Sequence, residues 1–442
     1  MFGDKRSINP QGEELAISTK PFDISKRAVW EAWKRIKANG GCAGIDGVTI
    51  EQFEADVGNN LYKLWNRLSS GSYLPAAVKR VEIPKADGSL RPLGIPTVED
   101  RIAQMVVKQE LEPELEKVFH PDSYGYRPGK SAIDAVRQAQ QRCWWIDWVV
   151  DVDIRGFFDN IDHALLLKAL DKHNPLPWVR LYVKRWLTAP VEYANGQQIS
   201  RNRGTPQGGV ISPLLANLFL HYALDAWMVR EHRTIPFERY ADDVVYHCRT
   251  PWEADRLLSA LKERLATCGL EAHPDKTRKV YCKDSNRRGP YAVISFDFLG
   301  YTFRPRSARN RKGQNYTNFS PSMSAKAFKR IKERVRQWDV TNWSGRTPAE
   351  LAAMLNPVIT GWLNYYGHFG LADGVYRLRK YLDQTLMRWA RKKYKRLSRS
   401  YRKSWAFINR LRTQSRYLFA HWNMSTVLNT KSRMSREAHV RF

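Results

Sequence analysis

The order of apolar and polar positions along the chain predicts helices near both ends and several strands between them. Apolar residues that recur every three or four positions indicate amphipathic helices. This spacing predicts helices over residues 24–39, 50–69, 96–118, 214–229, 322–337 and 349–369.

Runs rich in β-branched and aromatic residues predict strands and short hairpins in the middle of the chain. Asp87-Gly88 is a typical two-residue hairpin turn, and Ala241-Asp242 is flanked by strand-forming residues. The predicted strand segments are residues 78–92, 144–154, 237–246 and 296–303. The basic stretch 304–314 contains Gly and Asn and is predicted to be a loop.

The charge balance favours a polyanionic partner. The 442 residues include 73 Lys and Arg against 44 Asp and Glu, a formal net charge of +29. Residues 376–442 hold 19 of these cations and only two acids, so most of the excess lies there. Aromatic residues alternate with the cations, a mixture that suits a ligand with both bases and phosphates.

Other features of the composition indicate the compartment. The five cysteines are far apart and form no Cys-x-x-Cys pair, so neither a zinc module nor a disulfide framework is indicated. No apolar run is long enough to cross a bilayer, and the N-terminus does not have the pattern of a secretory signal. We therefore expect a cytoplasmic protein with two or three domains and no membrane partner.

Carboxylates lie at two points where predicted strands end. Asp242 and Asp243 form a hairpin turn, and Asp151 and Asp153 lie two residues apart on one face of an apolar strand. Such acids repel each other unless a cation lies between them, and oxygen ligands beside substrate phosphates suit Mg²⁺. An isolated Asp-Asp pair is, however, an ordinary solvated turn, and the residues alone do not show which strand aspartate would bind metal.

Three other segments have the composition of phosphate-binding or backbone-binding loops. They are a hairpin with Lys85 and Arg91, a loop with Arg127 and Lys130, and a glycine-rich turn over 204–213. The first is equally consistent with a solvated hairpin. Gly129-Lys130-Ser131 lacks the upstream glycine of a P-loop, so we reject a P-loop nucleotidase. His163 has no second metal-ligand residue at suitable spacing and is predicted to cap or pack.

The order of these segments resembles the motif series of reverse transcriptases, and most closely that of the enzymes encoded by bacterial group II introns. The series is a basic hairpin, an Arg/Lys loop, a strand ending in Asp, Pro206-Gln207-Gly208, Tyr240-Ala241-Asp242-Asp243, a turn lysine and Phe298-Leu299-Gly300. With Ile45-Asp46-Gly47 and the basic tail, the resemblance covers nearly the whole chain.

The resemblance implies an α+β right-hand polymerase fold with fingers, a palm with an antiparallel sheet, a helical thumb and a basic helical C-terminal domain. The implied domains are an N-terminal extension (1–77), reverse transcriptase fingers and palm (78–310), a thumb or domain X (311–375), and a maturase-specific and DNA-binding region (376–442).

A two-metal active site is also implied. Asp153 matches the family's strand aspartate because the residue five positions on, Phe158, is aromatic. Two Mg²⁺ ions, with Mn²⁺ as a substitute, would be held by Asp153, Asp242, Asp243 and the Ile154 carbonyl. These ions would activate the primer 3′-hydroxyl and stabilise the pyrophosphate.

The resemblance assigns further roles around that site. Lys276 would protonate or stabilise the pyrophosphate, and Phe158 would leave no room for a 2′-hydroxyl. The implied dNTP contacts are Lys85, Arg91, Phe158 and Gln207. The implied primer and template contacts are Arg127, Lys130, Leu299 and Gly300. The implied nucleic-acid contacts in the tail are Arg388, Arg391, Lys392, Lys393, Lys395 and Arg396.

The implied function is RNA-directed DNA polymerisation for a group II intron, combined with binding of the intron RNA to promote splicing and mobility. The expected partners are intron RNA, an RNA template, a DNA primer or target, and dNTPs, in a ribonucleoprotein that associates with the nucleoid when mobile. Because no paired cysteines occur, we expect no His-Asn-His endonuclease and no second-strand cleavage.

Three alternatives are compatible with the sequence. RNA-dependent RNA polymerases share the two-metal chemistry, but they typically carry Gly-Asp-Asp and an acid at the position of Phe158, and here Asp159 is one residue further on. A splicing cofactor would bind RNA without catalysis. A domesticated, intron-free reverse transcriptase would act in phage defence or DNA repair.

Overall fold

The computed structural model describes residues 20–84, 90–173, 175–309 and 312–423. The chain divides into two compact units, each built from several segments. The described residues of Met1–Phe119, Gly156–Leu224 and Cys268–Leu270 belong to the first unit, and those of His120–Arg155, Asp225–Thr267 and Glu271–Phe442 to the second.

Helices and short strands alternate along the described chain. The helices are α1 (Lys26–Asn39), α2 (Ile50–Ala55), α3 (Val57–Ser69), α4 (Val98–Glu116), α5 (Ala132–Trp145), α6 (Phe157–Asn160), α7 (His163–Asp171), α8 (Pro177–Thr188), α9 (Ser212–Leu220), α10 (Ala226–Glu231), α11 (Pro251–Thr267), α12 (Ala325–Gln337), α13 (Pro348–Tyr366), α14 (Tyr376–Lys393) and α15 (Tyr401–Gln414). The strands are β1 (Val78–Pro84), β2 (Leu90–Ile95), β3 (Trp148–Asp153), β4 (Val191–Glu192), β5 (Gln198–Ile199), β6 (Phe237–Tyr240), β7 (Asp243–Cys248), β8 (Arg278–Tyr281), β9 (Phe296–Phe298), β10 (Tyr301–Arg309) and β11 (Asn315–Met323).

The described strands form three sheets. The first unit contains the sheet β2-β1-β4-β5, and the second contains β6-β7-β3-β8 and β11-β10-β9. Only the pair β1 and β4 is parallel among the paired strands. The fold therefore agrees with the predicted α+β class and its antiparallel sheet.

The sheet β6-β7-β3-β8 lies in the core of the second unit. Val149 and Val150 of β3 and Val245 of β7 are fully buried, and helices α5 and α11 pack against these strands. A continuous apolar run is typical of a strand with little access to solvent. The polar end of β3, by contrast, has the partly exposed Asp153.

The hairpin of β1 and β2 confirms two of the predicted strands. Its register runs from Lys79 opposite Ile95 to Pro84 opposite Leu90. The tip of the hairpin, residues 85–89, lies outside the described residues, and with it the predicted dNTP contact Lys85. Arg91 is described and lies exposed on β2.

Two helix predictions were wrong in detail. The helix predicted over 50–69 is two helices, because Asp56 leaves the helical conformation with φ −132° and its carboxylate accepts a hydrogen bond from Asn59 Nδ2 at 2.9 Å. The helix predicted over 214–229 starts earlier and includes a π-helical turn, His221–Asp225. That turn ends at Asp225, a fully buried acid.

The loop prediction for residues 304–314 was wrong over 304–309, which belong to a strand, and residues 310 and 311 lie outside the described residues. Strand β10 continues to Arg309 and pairs with β11 along its whole length, from Tyr301 opposite Met323 to Arg309 opposite Asn315. An antiparallel strand accepts cations on its solvent face, so the charge of this stretch did not exclude a strand. Arg304 is exposed, whereas Arg306 is mostly buried and donates to Ser320 O and to Asp373.

The basic C-terminal region is packed helical structure as far as it is described. Helix α14 buries Leu378, Leu382, Leu386 and Trp389, and it contacts α12, α15 and the turns that follow α15. Its cations lie mainly on the outer face. No helix in the described ranges is both long and apolar enough to span a bilayer.

Candidate active site

Two of the predicted catalytic acids face each other across neighbouring strands of the second unit. Strands β3 and β7 are antiparallel, and their register places Asp153 directly opposite Asp243. The Cα atoms of such a pair lie about 4.5–5.5 Å apart. Asp242 belongs to the two-residue turn that joins β6 to β7. Acids from two distant points of the sequence, Asp153 and the adjacent pair Asp242 and Asp243, are thus brought to one end of the sheet.

The turn that contains Asp242 has a strained backbone held by a buried ion pair. Ala241 has φ +56°, a conformation that costs a non-glycine residue roughly 1–2 kcal/mol. Arg239 Nη1 donates to the Ala241 carbonyl at 3.2 Å. The same guanidinium donates to both carboxylate oxygens of Asp225, at 2.7 and 2.6 Å, and both side chains are fully buried.

A neighbouring loop also shapes this turn. Tyr124 N donates to Arg239 O at 2.8 Å, so the loop runs along β6. A Cβ atom at Gly125 would clash with the backbone nitrogen of Ala241. Only glycine allows the loop this close an approach.

The acids form a strongly negative cluster. Burial raises the pKa of Asp243 well above its usual value, and the carboxylates of Asp151, Asp242 and Asp153 raise it further. A hydrogen bond from the Leu299 backbone acts in the opposite direction. Closely spaced carboxylates that disfavour one another's ionisation are stabilised by a bound cation.

Asp151 differs from Asp153 in its partners. Burial raises the pKa of Asp151 to about 6, although Arg278 Nε lies 3.1 Å from its Oδ2 atom and opposes the shift. Asp151 is also opposite Arg278 in the register of β3 and β8. This acid has a cation partner within the fold, whereas Asp153 is nearer the open end of the strand.

Lys276 reaches Asp153 because the chain around residue 272 extends the sheet. His273 N donates to Asp153 O at 2.8 Å, and Ile154 forms a bridge with Ala272. The following turn carries Lys276, whose Nζ atom lies 3.4 Å from Asp153 Oδ2. Both side chains are partly exposed, so this is a loose, solvent-screened contact.

The predicted primer-grip residues form a tight turn beside Asp243. Leu299 (φ +50°) and Gly300 (φ +79°) connect β9 to β10, and two positive φ angles are typical of a type I′ hairpin turn. Tyr365 Oη donates to Leu299 O at 2.7 Å, and Ser324 N donates to Gly300 O at 3.0 Å. These contacts from outside the hairpin hold the turn.

Three segments that the sequence predicts to bind dNTP contact one another within the first unit. Gly94 N on β2 donates to Gln207 O at 2.7 Å, and Thr205 N donates to Phe158 O at 2.8 Å. The Pro-Gln-Gly turn therefore packs between β2, which carries Arg91, and the start of α6. His163 Nε2 contacts Gly204 O at 2.7 Å, so His163 has the packing role predicted for it.

Arg127 and Lys130 brace their own loop. Arg127 Nη1 donates to the carbonyls of His120 and Ser123, both at 2.7 Å. Lys130 Nζ donates to Pro121 O at 2.8 Å. A contact of either residue with primer or template stays a prediction.

The predicted tail contacts fall into two groups. Arg391 donates to Ser398 O, and Lys393 Nζ donates to Ser344 O at 2.9 Å, so both fasten α14 to neighbouring segments. The exposed members are Arg388, Lys392, Lys395 and Arg396. A phosphate backbone can reach these exposed side chains more easily than those of Arg391 and Lys393.

Three contributors to the site were missed by sequence reasoning. They are Gly125, the pair Asp225 and Arg239, and Tyr365. Arg239 carried a signal, because a charged residue inside a strand-forming run needs a buried partner. Tyr365 carried none, since it lies far along the chain from the residues it contacts.

The donor set of this site fits a divalent cation. In the described part of the chain, no three His, Cys, Asp or Glu side chains are grouped tightly enough to form a ready-made metal cage. Carboxylate oxygens at an open strand end are nevertheless the ligands that Mg²⁺ accepts when substrate phosphates and water complete its shell. Burial and the neighbouring carboxylates raise the pKa of Asp243, and a bound cation would offset both effects.

Comparison with known proteins places this site within a family. Residues 83–303, half of the chain, match the family model of reverse transcriptase (RNA-dependent DNA polymerase). The chain belongs to the reverse transcriptase family. Residues 328–406 match a second model, the maturase-specific domain of group II introns.

Individual relatives are similar to part of the chain. The chain is 38% identical to protein YkfC of Escherichia coli K12 over 184 residues, 40% of this chain and 48% of that protein. It is 35% identical to the group II intron-encoded protein LtrA of Lactococcus lactis over 192 residues, 43% of this chain and 32% of that protein. The matched region therefore spans half or less of these relatives' lengths.

Proposed function

We propose that this chain is an RNA-directed DNA polymerase of a group II intron that also binds the intron RNA to promote splicing. The pairing of Asp153 with Asp243, beside Asp242, carries the proposal. It is supported by the reverse transcriptase match, which contains all three acids, and by the maturase-specific match that follows it.

In this proposal, Asp153, Asp242, Asp243 and the Ile154 carbonyl hold two Mg²⁺ ions, with Mn²⁺ as a substitute. When bound, these ions supply charge neutralisation and activation of the primer 3′-hydroxyl for attack on the α-phosphate. The Arg239–Asp225 pair positions the turn with Asp242. Lys276, on the rim beside Asp153, donates a proton or a hydrogen bond to the departing pyrophosphate.

Other segments of the chain would act as fingers, palm and thumb. Arg91 and Gln207 contact the incoming dNTP, and Phe158 packs against its sugar so that a 2′-hydroxyl is excluded. Their support is the packing of β2, the Pro-Gln-Gly turn and the start of α6 within one unit. Leu299 and Gly300 hold the primer, and the helices beyond β11 form the thumb.

The maturase role would use the C-terminal helices. The maturase-specific match covers most of α12, all of α13 and α14, and the start of α15, so an RNA surface on these helices agrees with the family model. Exposed cations such as Lys392 and Lys395 would contact phosphates, and nearby aromatic rings would stack on bases.

Primer extension on an RNA template tests the polymerase role. Asp153→Asn and Asp242→Asn should each lower the rate of dNTP incorporation by roughly 10³-fold or more, because each removes a carboxylate from the proposed metal site. Glu263→Gln makes the same chemical change at an exposed position on α11 and should leave the rate unchanged. Wild-type chain that extends no primer, or that prefers NTPs, contradicts the proposal.

The same variants separate catalysis from splicing assistance. Replacement of both Asp242 and Asp243 by Ala should abolish DNA synthesis while intron binding and splicing assistance persist. The two acids lie where β6 turns into β7, whereas the proposed RNA surface lies on the C-terminal helices. A non-catalytic splicing cofactor would show the second activity without the first even in the wild type. Equal loss of both activities in a folded double variant rules out two separable roles.

A further inference from the structure

We propose that Tyr365 is a positioning residue for Asp243, acting through the Leu299-Gly300 turn. Tyr365 Oη donates to Leu299 O at 2.7 Å, and the Leu299 backbone N–H lies close enough to the Asp243 carboxylate to lower its pKa. The peptide groups before and after Leu299 thus lie between the Tyr365 hydroxyl and the Asp243 carboxylate. This role rests on the proposed polymerase function, because it concerns the placement of one of the catalytic acids.

The turn requires such a contact because its backbone is unfavourable for the residue it contains. Leu299 has φ +50°, and leucine has neither the freedom of glycine nor the short polar side chain that lets Asn or Asp adopt this conformation. A type I′ turn is normally built from Asn, Asp or Gly at this position. The hydrogen bond to Leu299 O favours the strained orientation over its alternatives.

Tyr365 is itself held in place. Tyr301 Oη donates to the backbone carbonyl of Tyr365, and the two rings lie 5.5 Å apart. The ring of Tyr366 packs edge-on against Tyr365 at 4.9 Å. Because Tyr301 begins the strand that follows the turn, the hydroxyl of Tyr365 and the turn it binds are braced by the same cluster.

The location of Tyr365 makes this contact more than local packing. Tyr365 lies on α13, inside the maturase-specific match over 328–406 and outside the reverse transcriptase match over 83–303. The helix that belongs to the RNA-binding region would therefore complete the geometry of the polymerase site. Tyr365 touches none of the reacting atoms, so its effect passes through Leu299.

Removal of the Tyr365 hydroxyl in the full chain tests the proposal. Tyr365→Phe keeps the ring and its packing but loses the hydrogen bond. We expect kcat for single-nucleotide extension on an RNA template to fall about tenfold, with KM for dNTP within about twofold, RNA affinity unchanged and the melting temperature lowered by no more than a few degrees. Hydrogen–deuterium exchange in the peptide over 296–303 should become faster.

Tyr366→Phe is the matched control. Tyr366 is the next residue on the same helix. Its hydroxyl lies beside Gly300, 3.1 Å from the position that a Cβ atom would take on that glycine, rather than at the Leu299 carbonyl. This variant should retain the wild-type kcat and the wild-type exchange over 296–303. If both variants lower kcat together with the melting temperature, the tyrosines only pack and the positioning role is wrong.

The remaining outcomes are also decisive. Unchanged kcat in Tyr365→Phe, with an active wild type, overturns the role of Tyr365 and leaves the polymerase function intact. Unchanged hydrogen–deuterium exchange over 296–303 in Tyr365→Phe also overturns the role of Tyr365, because the hydrogen bond would then not stabilise the turn. A wild-type chain that extends no primer overturns the polymerase function first, and this role with it.

Discussion

Arg239 and Asp225 show how a buried ion pair can hold a turn, here the one that contains Asp242. The guanidinium of Arg239 is fully buried, donates to both oxygens of Asp225 and still reaches the Ala241 carbonyl. An isolated buried charge is costly, so the pair must form together with the turn. The conformation of Ala241 is thereby linked to the π-helical turn that ends at Asp225.

Asp225→Asn should lower the free energy of unfolding by roughly 3 kcal/mol, because Arg239 would be left buried without its counter-charge. Urea denaturation followed by circular dichroism measures the change. Asp171→Asn breaks an ion pair with Arg180 whose side chains are 41% and 46% exposed, and should cost less than about 1 kcal/mol. Equal losses of unfolding free energy in Asp225→Asn and Asp171→Asn would contradict a special cost of breaking the buried ion pair.

The junction of α14, α15 and the turn after α15 depends on one acid. Asp383 on α14 accepts hydrogen bonds from Trp422 Nε1 at 2.8 Å and His421 Nε2 at 3.1 Å, and it pairs with Arg412 on α15. Burial lowers the pKa of His421, although Asp383 opposes that shift. Burial alone would raise the pKa of Asp383, but its hydrogen bonds and nearby charges lower it overall.

Both shifts make this junction less stable in acid. Because the folded pKa of His421 lies below the usual 6.5, the unfolded chain binds more protons as the pH falls through 6.5, and stability declines. The lowered pKa of Asp383 adds a second loss below about pH 3.8. We expect the urea midpoint to fall between pH 7.5 and 5.5, and to fall less in His421→Gln, which cannot titrate there. An identical fall of the urea midpoint in the wild type and in His421→Gln would exclude His421 as the cause.

For the whole molecule, the net charge of +29 governs how nucleic acid is bound. Each phosphate contact releases condensed counterions, so the logarithm of affinity falls linearly with the logarithm of salt concentration. The exposed cations Lys392, Lys395 and Arg396 are close together in sequence and follow the buried part of α14.

Replacement of Lys392, Lys395 and Arg396 by Ala should reduce the salt slope of RNA binding by about 2–3, or roughly 0.7–0.9 for each lost phosphate contact. Affinities measured over a range of potassium chloride concentrations give the slope. A control that changes the net charge equally replaces Lys34, Lys117 and Arg180, three exposed cations of local ion pairs in the first unit. The same slope change in both triple variants would show that only overall charge matters.

The elements of the fold were predictable where the pattern is local. Apolar spacing located α1, α4, α12 and α13 to within a few residues, because a helix face repeats over a short stretch of chain. The prediction failed over 304–309, where the charge of the stretch suggested a loop. Pairing with β11 outweighed that composition, and no local signal records a partner strand.

The sequence alone determined the order of the motifs and thereby the choice of Asp153, Asp242 and Asp243, since a motif is a property of neighbouring residues. Only the tertiary structure decided that Asp153 lies opposite Asp243, that Arg127 braces its own loop, and that Tyr365 binds Leu299. The reason is physical. Strand register, buried ion pairs and hydrogen bonds join residues that are distant along the chain, and their partners are chosen by the packing of the whole unit.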